Sequence, residues 1–298
     1  MTTAHSGSGD PGRSMELLWR GTAERPGRGP RPALSLERIV TAAVELADRE
    51  GLEALSMRRV AAELGVGTMS LYRYLPGKGE LLDLMLDHVV GPPEEPAEEP
   101  GEEHAGAGGG AAGDGPRWRR DVAALARGVW RLYHAHPWLI HVNQARPVLG
   151  PNSLAGFDRA LASLNGLGLS AKEKVKIIMA VEHYVTGTAR TFILQRQVVE
   201  QTGVSDEEFW ASQGPVLTEV LGGGRFPEVA RLPGDTFAIE GEEALEFGLG
   251  PLLDGLALVI AHRAEHPAPP EEQSDADCCS PDATGDRPAD GRADGPAG

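Results

Sequence analysis

Apolar residues recur along residues 35–90 with the three-to-four-residue spacing of helices, and the polar residues between them fall where helices start and stop. Ser35 can cap the free backbone N–H groups of a first helix, in which Ile39, Ala43, Leu46 and Ala47 share one face and which Gly51 ends. Ser56 caps a second, with Met57, Val60, Ala61 and Leu64 turned inward, and Gly65 allows a tight turn after it. A third is expected from about Thr68 to Tyr74, broken by Pro76-Gly77. A fourth runs from Lys78 to Val90 with Leu81, Leu82, Met85 and Val89 inside. Upstream, residues 1–13 are small and polar, and residues 15–20 form an apolar turn too brief to stand alone as a helix. Residues 1–34 therefore read as a flexible, partly basic arm.

The helical pattern lapses over residues 91–116, an acidic Gly- and Pro-rich stretch that cannot bury enough apolar surface to offset its ordering entropy. It resumes over 117–264. One amphipathic helix runs from Trp118 to His136 and stops at Pro137. A short piece spans 138–145, and Gly150-Pro151-Asn152 opens a helix to about Asn165. Ser170 opens the longest, to about Gln201, apolar on two faces (Val175, Ile178, Val181 and Val185 against Ile177, Met179 and Tyr184), so it needs two partners. Helices at about 205–221 and 242–263 follow, and residues 265–298 read as a disordered acidic tail. No segment of any length has the period of a strand. The expected fold is all-α: an N-terminal three-helix unit over 35–90 and a C-terminal helical bundle over 117–264.

Composition changes this picture in one respect. The chain of 298 residues carries a net charge of −16, which would argue against nucleic acid. Yet residues 92–116 carry seven acids and no lysine or arginine, and residues 271–298 carry eight acids against two bases. Those two segments hold −13 of the total, and the helical regions are nearly neutral. The two cysteines, Cys278 and Cys279, are adjacent and in the tail, which disfavours a disulfide scaffold and fits a reduced, cytoplasmic setting. No apolar run is expected to span a membrane, and no secretory signal is expected. A nucleotide loop, an HExxH zinc motif and a GxSxG elbow are absent from the sequence, so an enzyme is not expected.

The spacing Ala61, Gly65, Leu71 fits a helix-turn-helix: a small residue for close helix approach, a glycine for the turn, and an apolar anchor for the second helix. Around it, the helix from Ile39 to Gly51, the run from Leu55 to Val66 (LSMRRVAAELGV), Leu71-Tyr72-Arg73-Tyr74, Lys78 and Leu81-Leu82 resemble the tetracycline-repressor (TetR) family of bacterial transcriptional regulators. The resemblance implies that Gly67 to Tyr74 reads DNA. Thr68 and Ser70 can reach base edges or phosphates, and Met69 a thymine methyl. Arg58 matches the position that reads guanine, a bidentate contact that discriminates by roughly 1–3 kcal/mol. Tyr72, Tyr74 and Lys78 are placed to hold phosphates, and Arg73 can serve either role. Arg25, Arg28 and Arg31 of the arm suit a minor-groove contact or a weakly basic leader.

In the second region His136-Pro137, Gly150-Pro151, Phe247-Gly248-Leu249 and Leu252-Leu253 resemble the effector-binding domain of the tetracycline-repressor branch. The resemblance implies a homodimer, with the helices at about 170–201 and 242–263 pairing across a two-fold axis. The row Leu245, Leu249, Leu252, Leu253, Leu256 and Val259 fits that pairing or an ordinary core. Candidate pocket residues are Trp130, His134, Trp138, His141, Met179, His183 and Phe192, which suit a mostly apolar small molecule with a few polar anchors. His141, Glu182 and His183 invite comparison with the magnesium-chelated drug of tetracycline regulators, but their spacing establishes no site, and no metal or cofactor is expected. The implied function is a ligand-responsive repressor on a double-stranded operator, with the fourth helix carrying the signal by packing against the effector domain. The alternative is a helical adaptor whose acidic segments bind a protein partner.

Overall fold

The computed structural model of the chain describes residues 4–21, 34–91 and 115–266. Arg25, Arg28 and Arg31, the linker over 92–114 and the tail beyond residue 266 lie outside the described residues. Among the described residues there are ten α-helices and one pair of two-residue strands. In chain order, β1 (Ala4–His5) and α1 (Pro11–Arg20) precede the reading unit of α2 (Leu36–Glu50), α3 (Met57–Glu63), α4 (Thr68–Leu71) and α5 (Lys78–Val90).

The reading unit forms where local chemistry dictates. The Ser35 hydroxyl accepts from Arg38 N and the Ser56 hydroxyl from Arg59 N, satisfying donors that a helix start leaves free. Gly65 makes the turn between α3 and α4 at φ +66°, a conformation open to glycine at no steric cost. Ile39, Ala43, Leu46, Val60, Ala61, Leu71 and Leu81 close one core. Helix α4 is shorter than expected, because Leu75 precedes Pro76 and is biased out of the helical region. Residues 72–74 continue only as turns, with Tyr74 N donating to Leu71 O at 2.8 Å.

The N-terminal region departs from its expected flexibility. Residues 4–21 are folded, and α1 is a helix of ten residues. It does not stand alone. Asp10 caps it by accepting from Gly12 N and Arg13 N, Pro11 fits its first turn, and Ser14, Leu17 and Leu18 are buried where it lies against α5. Helix α5 is consequently covered on every side over residues 80–87, with Leu81, Leu82, Leu84, Met85 and Leu86 all buried. Three acids on one stripe, Glu80, Asp83 and Asp87, are buried too, each accepting hydrogen bonds from other segments.

The effector region comprises α6 (Arg117–Ala135), a 3₁₀ turn (Pro137–His141), β2 (Val142–Asn143), α7 (Pro151–Ser163), α8 (Ala171–Thr202), α9 (Asp206–Gly222) and α10 (Gly241–Glu265). The 32-residue α8 starts at a capping box, with Ser170 and Glu173 bonded reciprocally, and buries Ile177, Ile178, Val181, Val185, Ala189 and Ile193 against α6, α7 and α10. Its second apolar face is covered only in part. The Tyr184 hydroxyl donates toward Ala244 O and Leu245 O of α10, whereas Met179 is exposed. Helix α9 buries no residue. Helix α10 buries Leu245, Leu249, Leu253 and Ile260 but leaves Phe247 82% and Leu258 74% exposed. Contrary to the expectation from sequence, α10 is long and apolar enough to cross a membrane by length and composition, with mean hydropathy 1.7. Its buried stripe packs into the bundle, and the unburied stripe is the feature that needs a partner.

The two regions meet without relying on the linker. Asp87 of α5 accepts from Asn152 N at 3.3 Å and Ser153 N at 2.8 Å, capping α7 from outside the helix, and Asn152 Nδ2 returns a bond to Asp87 O. Asp48 of α2 receives the Trp138 indole N–H at 2.7 Å and lies 2.8 Å from His136 Nδ1. The fourth helix of the reading unit therefore packs directly on the effector region, as the sequence suggests despite the insertion.

Candidate nucleic-acid interface and effector cluster

The fold pairs some cations of the reading unit and leaves others free. Arg59 is held by Glu50 at 2.6 Å and Arg49 by Glu63 at 3.0 Å. Among the described residues of the reading unit, Arg38, Arg58, Arg73 and Lys78 are exposed and enter no ion pair, and the last three belong to α3, the turn after α4 and the start of α5. Between them α4 presents Met69, 76% exposed, and the turn after it the exposed Tyr72 ring, while Leu71 anchors the helix in the core. Gly67 caps α4 in the open, and Thr68 and Ser70 are half-buried beside it. Exposed cations without acidic partners, beside exposed apolar side chains, suit a polyanion with base edges. Tyr74 leaves this group. Its hydroxyl donates to Leu34 O at 2.8 Å and its ring packs on the core, so its only proton is committed inside the fold.

The pocket candidates divide. Trp130 and His134 stack with ring centroids 4.0 Å apart, and His134 Nδ1 lies 2.9 Å from Trp130 O. Trp130 and Phe192 both abut Gly241 at the start of α10, where a Cβ would lie 3.1 Å from each ring. His141 reaches α8, with Nε2 3.2 Å from Gln197 Oε1. Met179 and His183 are exposed on α8 rather than enclosed by it. Trp138 is not a pocket residue at all. It is 2% exposed and packed into the core of the reading unit, held by Asp48.

The structure adds groups that the aromatic pattern did not reveal. Tyr133 is half-buried in the same cluster as Trp130, Ile140 and Ile193. Burial pushes its phenol up, while Thr186 and Gln144, close enough to hydrogen-bond it, pull the other way. The Arg190 guanidinium donates to Ile140 O. Glu182 is half-buried, and burial raises its carboxyl above the usual range, offset in part by His183. Glu182, Thr186 and Arg190 recur every fourth residue, a polar stripe on a core helix that is visible in the sequence. A separate cleft of about 360 Å³ between α6 and α10 is lined by Arg119, Arg120, Arg127, Glu246, Leu249 and Leu253. Its charges serve the fold. Arg119 pairs with Asp254 at 2.7 Å, and Arg127 grips Glu246 through two bonds that raise the guanidinium and lower the carboxyl. Among the described residues, no group of three or more His, Cys, Asp or Glu side chains is placed to hold a metal.

Comparison with known proteins draws these features together. A model of the tetracyclin repressor-like C-terminal domain matches residues 111–260, and one of the bacterial regulatory proteins of the tetR family matches residues 39–85. The chain belongs to the TetR family. The HTH-type transcriptional repressor DrrR1 of Streptomyces coeruleorubidus is 49% identical over 268 residues, which is 90% of this chain and 93% of that one. The Streptomyces coelicolor TetR family protein ActR, solved with actinorhodin, is 32% identical, covers 77% of this chain and 98% of its own, and superposes with a TM-score of 0.60. Apo ActR, at 29% identity, gives 0.57 over 80% of this chain. As a TetR-family protein the chain is an all-helical, DNA-binding transcriptional regulator with an N-terminal helix-turn-helix domain, and its relatives are regulators rather than enzymes.

Within this TetR-type effector domain the raised Glu182 carboxyl has a consequence for stability. Its folded pKa lies above its unfolded value, so the folded state holds the proton more tightly and stability is lost as pH rises through the folded pKa. Glu182→Gln removes a burial cost carried by the ionised form alone. The Tm of the variant should match the parent near pH ~4 and exceed it near pH ~8. A gap of the same size at both pH values, read by thermal unfolding, would show that Glu182 is not penalised by burial.

Proposed function

We propose that this TetR-family regulator is a homodimeric repressor that leaves a palindromic operator when a small-molecule effector binds its C-terminal domain. The observation that carries the DNA half is the grouping of the exposed, unpaired Arg58, Arg73 and Lys78 on the segments around Thr68, Met69, Ser70 and Tyr72, while Arg49 and Arg59 are tied into ion pairs. A three-helix reader touches one short half-site, so useful affinity calls for two copies with reading helices about one helical turn apart, roughly 34–36 Å. The unburied stripe of α10, with Phe247, Leu258 and Val259, supplies an apolar surface for that pairing. Repression rather than activation is favoured by the relation to the repressor DrrR1.

The effector site is the cluster of Trp130, Tyr133, His134 and Phe192, flanked by Glu182, Thr186, Arg190 and His141. Aromatic walls with a few polar anchors suit a small, largely flat organic molecule. The complex of ActR with actinorhodin supports a small-molecule ligand for this fold. The protein works in the cytoplasm, on the chromosome.

The test is selection of bound sequences from random DNA with the purified protein. A two-fold-symmetric site bound by two copies, with affinity falling steeply as salt rises, is the expected outcome. Enrichment of no sequence, or of a site occupied by one copy, overturns the reading.

A further inference from the structure

The buried acids of α5 lead to a part of the molecule that the reading face and effector cluster leave unused. Asp83 Oδ1 accepts from Gly7 N at 2.8 Å and its Oδ2 from the Ser14 hydroxyl at 2.6 Å, while Glu80 Oε1 accepts from Asp10 N at 2.8 Å. Backbone meets backbone here: a Cβ added at Gly79 would lie 2.5 Å from Gly9 N. Carboxylates buried in an apolar helix are costly unless they are hydrogen-bonded, and the segment 4–21 supplies donors to both oxygens of Asp83 and to Oε1 of Glu80. That segment is thus fixed to the lever helix of the reading unit at several points.

Its other contacts are with the effector region. β1 pairs in parallel with β2, Ala4 opposite Val142 and His5 opposite Asn143. Ser6 N donates to Asn143 O at 3.1 Å and the buried Ser6 hydroxyl to Arg146 O. Trp19 Nε1 donates to Leu149 O at 2.9 Å. The stretch it grips, residues 142–149, is continuous with the wall of the effector cluster: Ile140 O holds Arg190, His141 meets Gln197, and Gln144 lies beside Tyr133.

We propose that residues 4–21 form a strap that couples the effector cluster to the reading head, parallel to the direct packing of α5 on α7. One end of the strap rides on the segment a ligand at Tyr133 and Arg190 would displace, and the other is anchored to the two carboxylates of α5. Movement of residues 140–146 is transmitted to α5 without passing through the linker. This assignment rests on the ligand-responsive reading for its role in regulation, but the mechanical link is measurable without DNA or effector.

Hydrogen exchange of the full chain decides it, with each end of the strap broken in turn. Ser6→Pro removes the backbone donor to Asn143 O and the hydroxyl bond to Arg146 O while keeping the Gly7 N–H that reaches Asp83; Asp83→Ala, with Asp83→Asn as the conservative partner, releases the α5 end. With a coupled strap, Ser6→Pro speeds exchange by about tenfold or more at residues 7–18 and in α5, and Asp83→Ala does the same at residues 142–149. Exchange altered only at the substituted end overturns the strap. If Asp83→Ala fails to fold by circular dichroism, Ser6→Pro and Asp83→Asn decide alone. On the selected palindrome, the parent should show slower exchange at residues 140–149 with DNA than without, and Ser6→Pro should lose that difference. Retention of the difference in Ser6→Pro counts against the strap, whereas failure of the parent to select any palindrome counts against the repressor reading only.

Discussion

Trp138→Ala should lower the stability of the protein by roughly 3–5 kcal/mol, the range for truncating a buried aromatic ring. Trp138 is shared by two regions. Trp138 belongs to the 3₁₀ turn of the effector region, yet it is 2% exposed and contributes to the core formed by α2–α5. Its indole N–H is spent on Asp48, a residue of α2, at 2.7 Å. Truncation therefore opens a cavity at the junction and removes a directional bond that orients the two regions. Trp138→Phe keeps most of the ring and loses the donor, so it should fall between parent and alanine, about 1–3 kcal/mol below the parent. Urea unfolding of the three proteins checks the order. A Trp138→Ala variant within about 1 kcal/mol of the parent would mean that the junction does not depend on this ring.

The same residue shows what a linear sequence conceals. Helix boundaries were legible because their causes are local. Ser35, Ser56, Ser170 and Ser205 each cap the helix that follows, and the last two carry glutamate three positions on for a full capping box. The core positions Ile39, Ala43, Leu46, Met57, Val60 and Ala61 followed from spacing alone. An aromatic near a pocket and an aromatic plugging a junction have the same pattern in sequence, so spacing alone assigns Trp138 to the pocket whereas the fold buries it at the junction. Only Asp48, 90 residues away, separates them. Tyr74 follows the same logic, since the acceptor for its hydroxyl is Leu34 O, 40 residues upstream.

Helix α1 is not legible from local pattern because ten residues are marginal in isolation, and its support comes from α5 and from the 142–149 segment. The buried acids of α5 left a trace that could have been read. Glu80, Asp83 and Asp87 line one stripe of a helix whose other positions are mostly apolar, and a carboxylate so placed needs donors from elsewhere in the fold. Glu182, Thr186 and Arg190 on α8 left the same kind of trace.

On the operator, Arg58→Ala and Lys78→Ala should weaken binding in different ways, and the difference identifies the reader. An arginine that is bidentate to guanine discriminates by about 1–3 kcal/mol, and a palindrome presents two half-sites to two copies, so the loss on the preferred sequence is roughly 2–6 kcal/mol. Substituting the base it reads should then cost the variant almost nothing. Lys78→Ala should weaken all sequences alike and flatten the dependence on salt by about one phosphate contact per copy. Arg59→Ala is the control, because Arg59 is already committed to Glu50 at 2.6 Å and has less to give to DNA. Gel-shift titrations on the selected site, on a site altered at one base pair and across a salt series separate the three. If Arg59→Ala weakens binding as much as Arg58→Ala, the pairing of Arg59 with Glu50 does not survive contact with DNA, and freedom from ion pairs is no guide to the reading face. If Arg58→Ala keeps the parent's preference at every base pair, sequence is read instead by Thr68, Met69, Ser70 and Tyr72 of α4 and the turn that follows it, and the role of Arg58 is confined to holding the backbone.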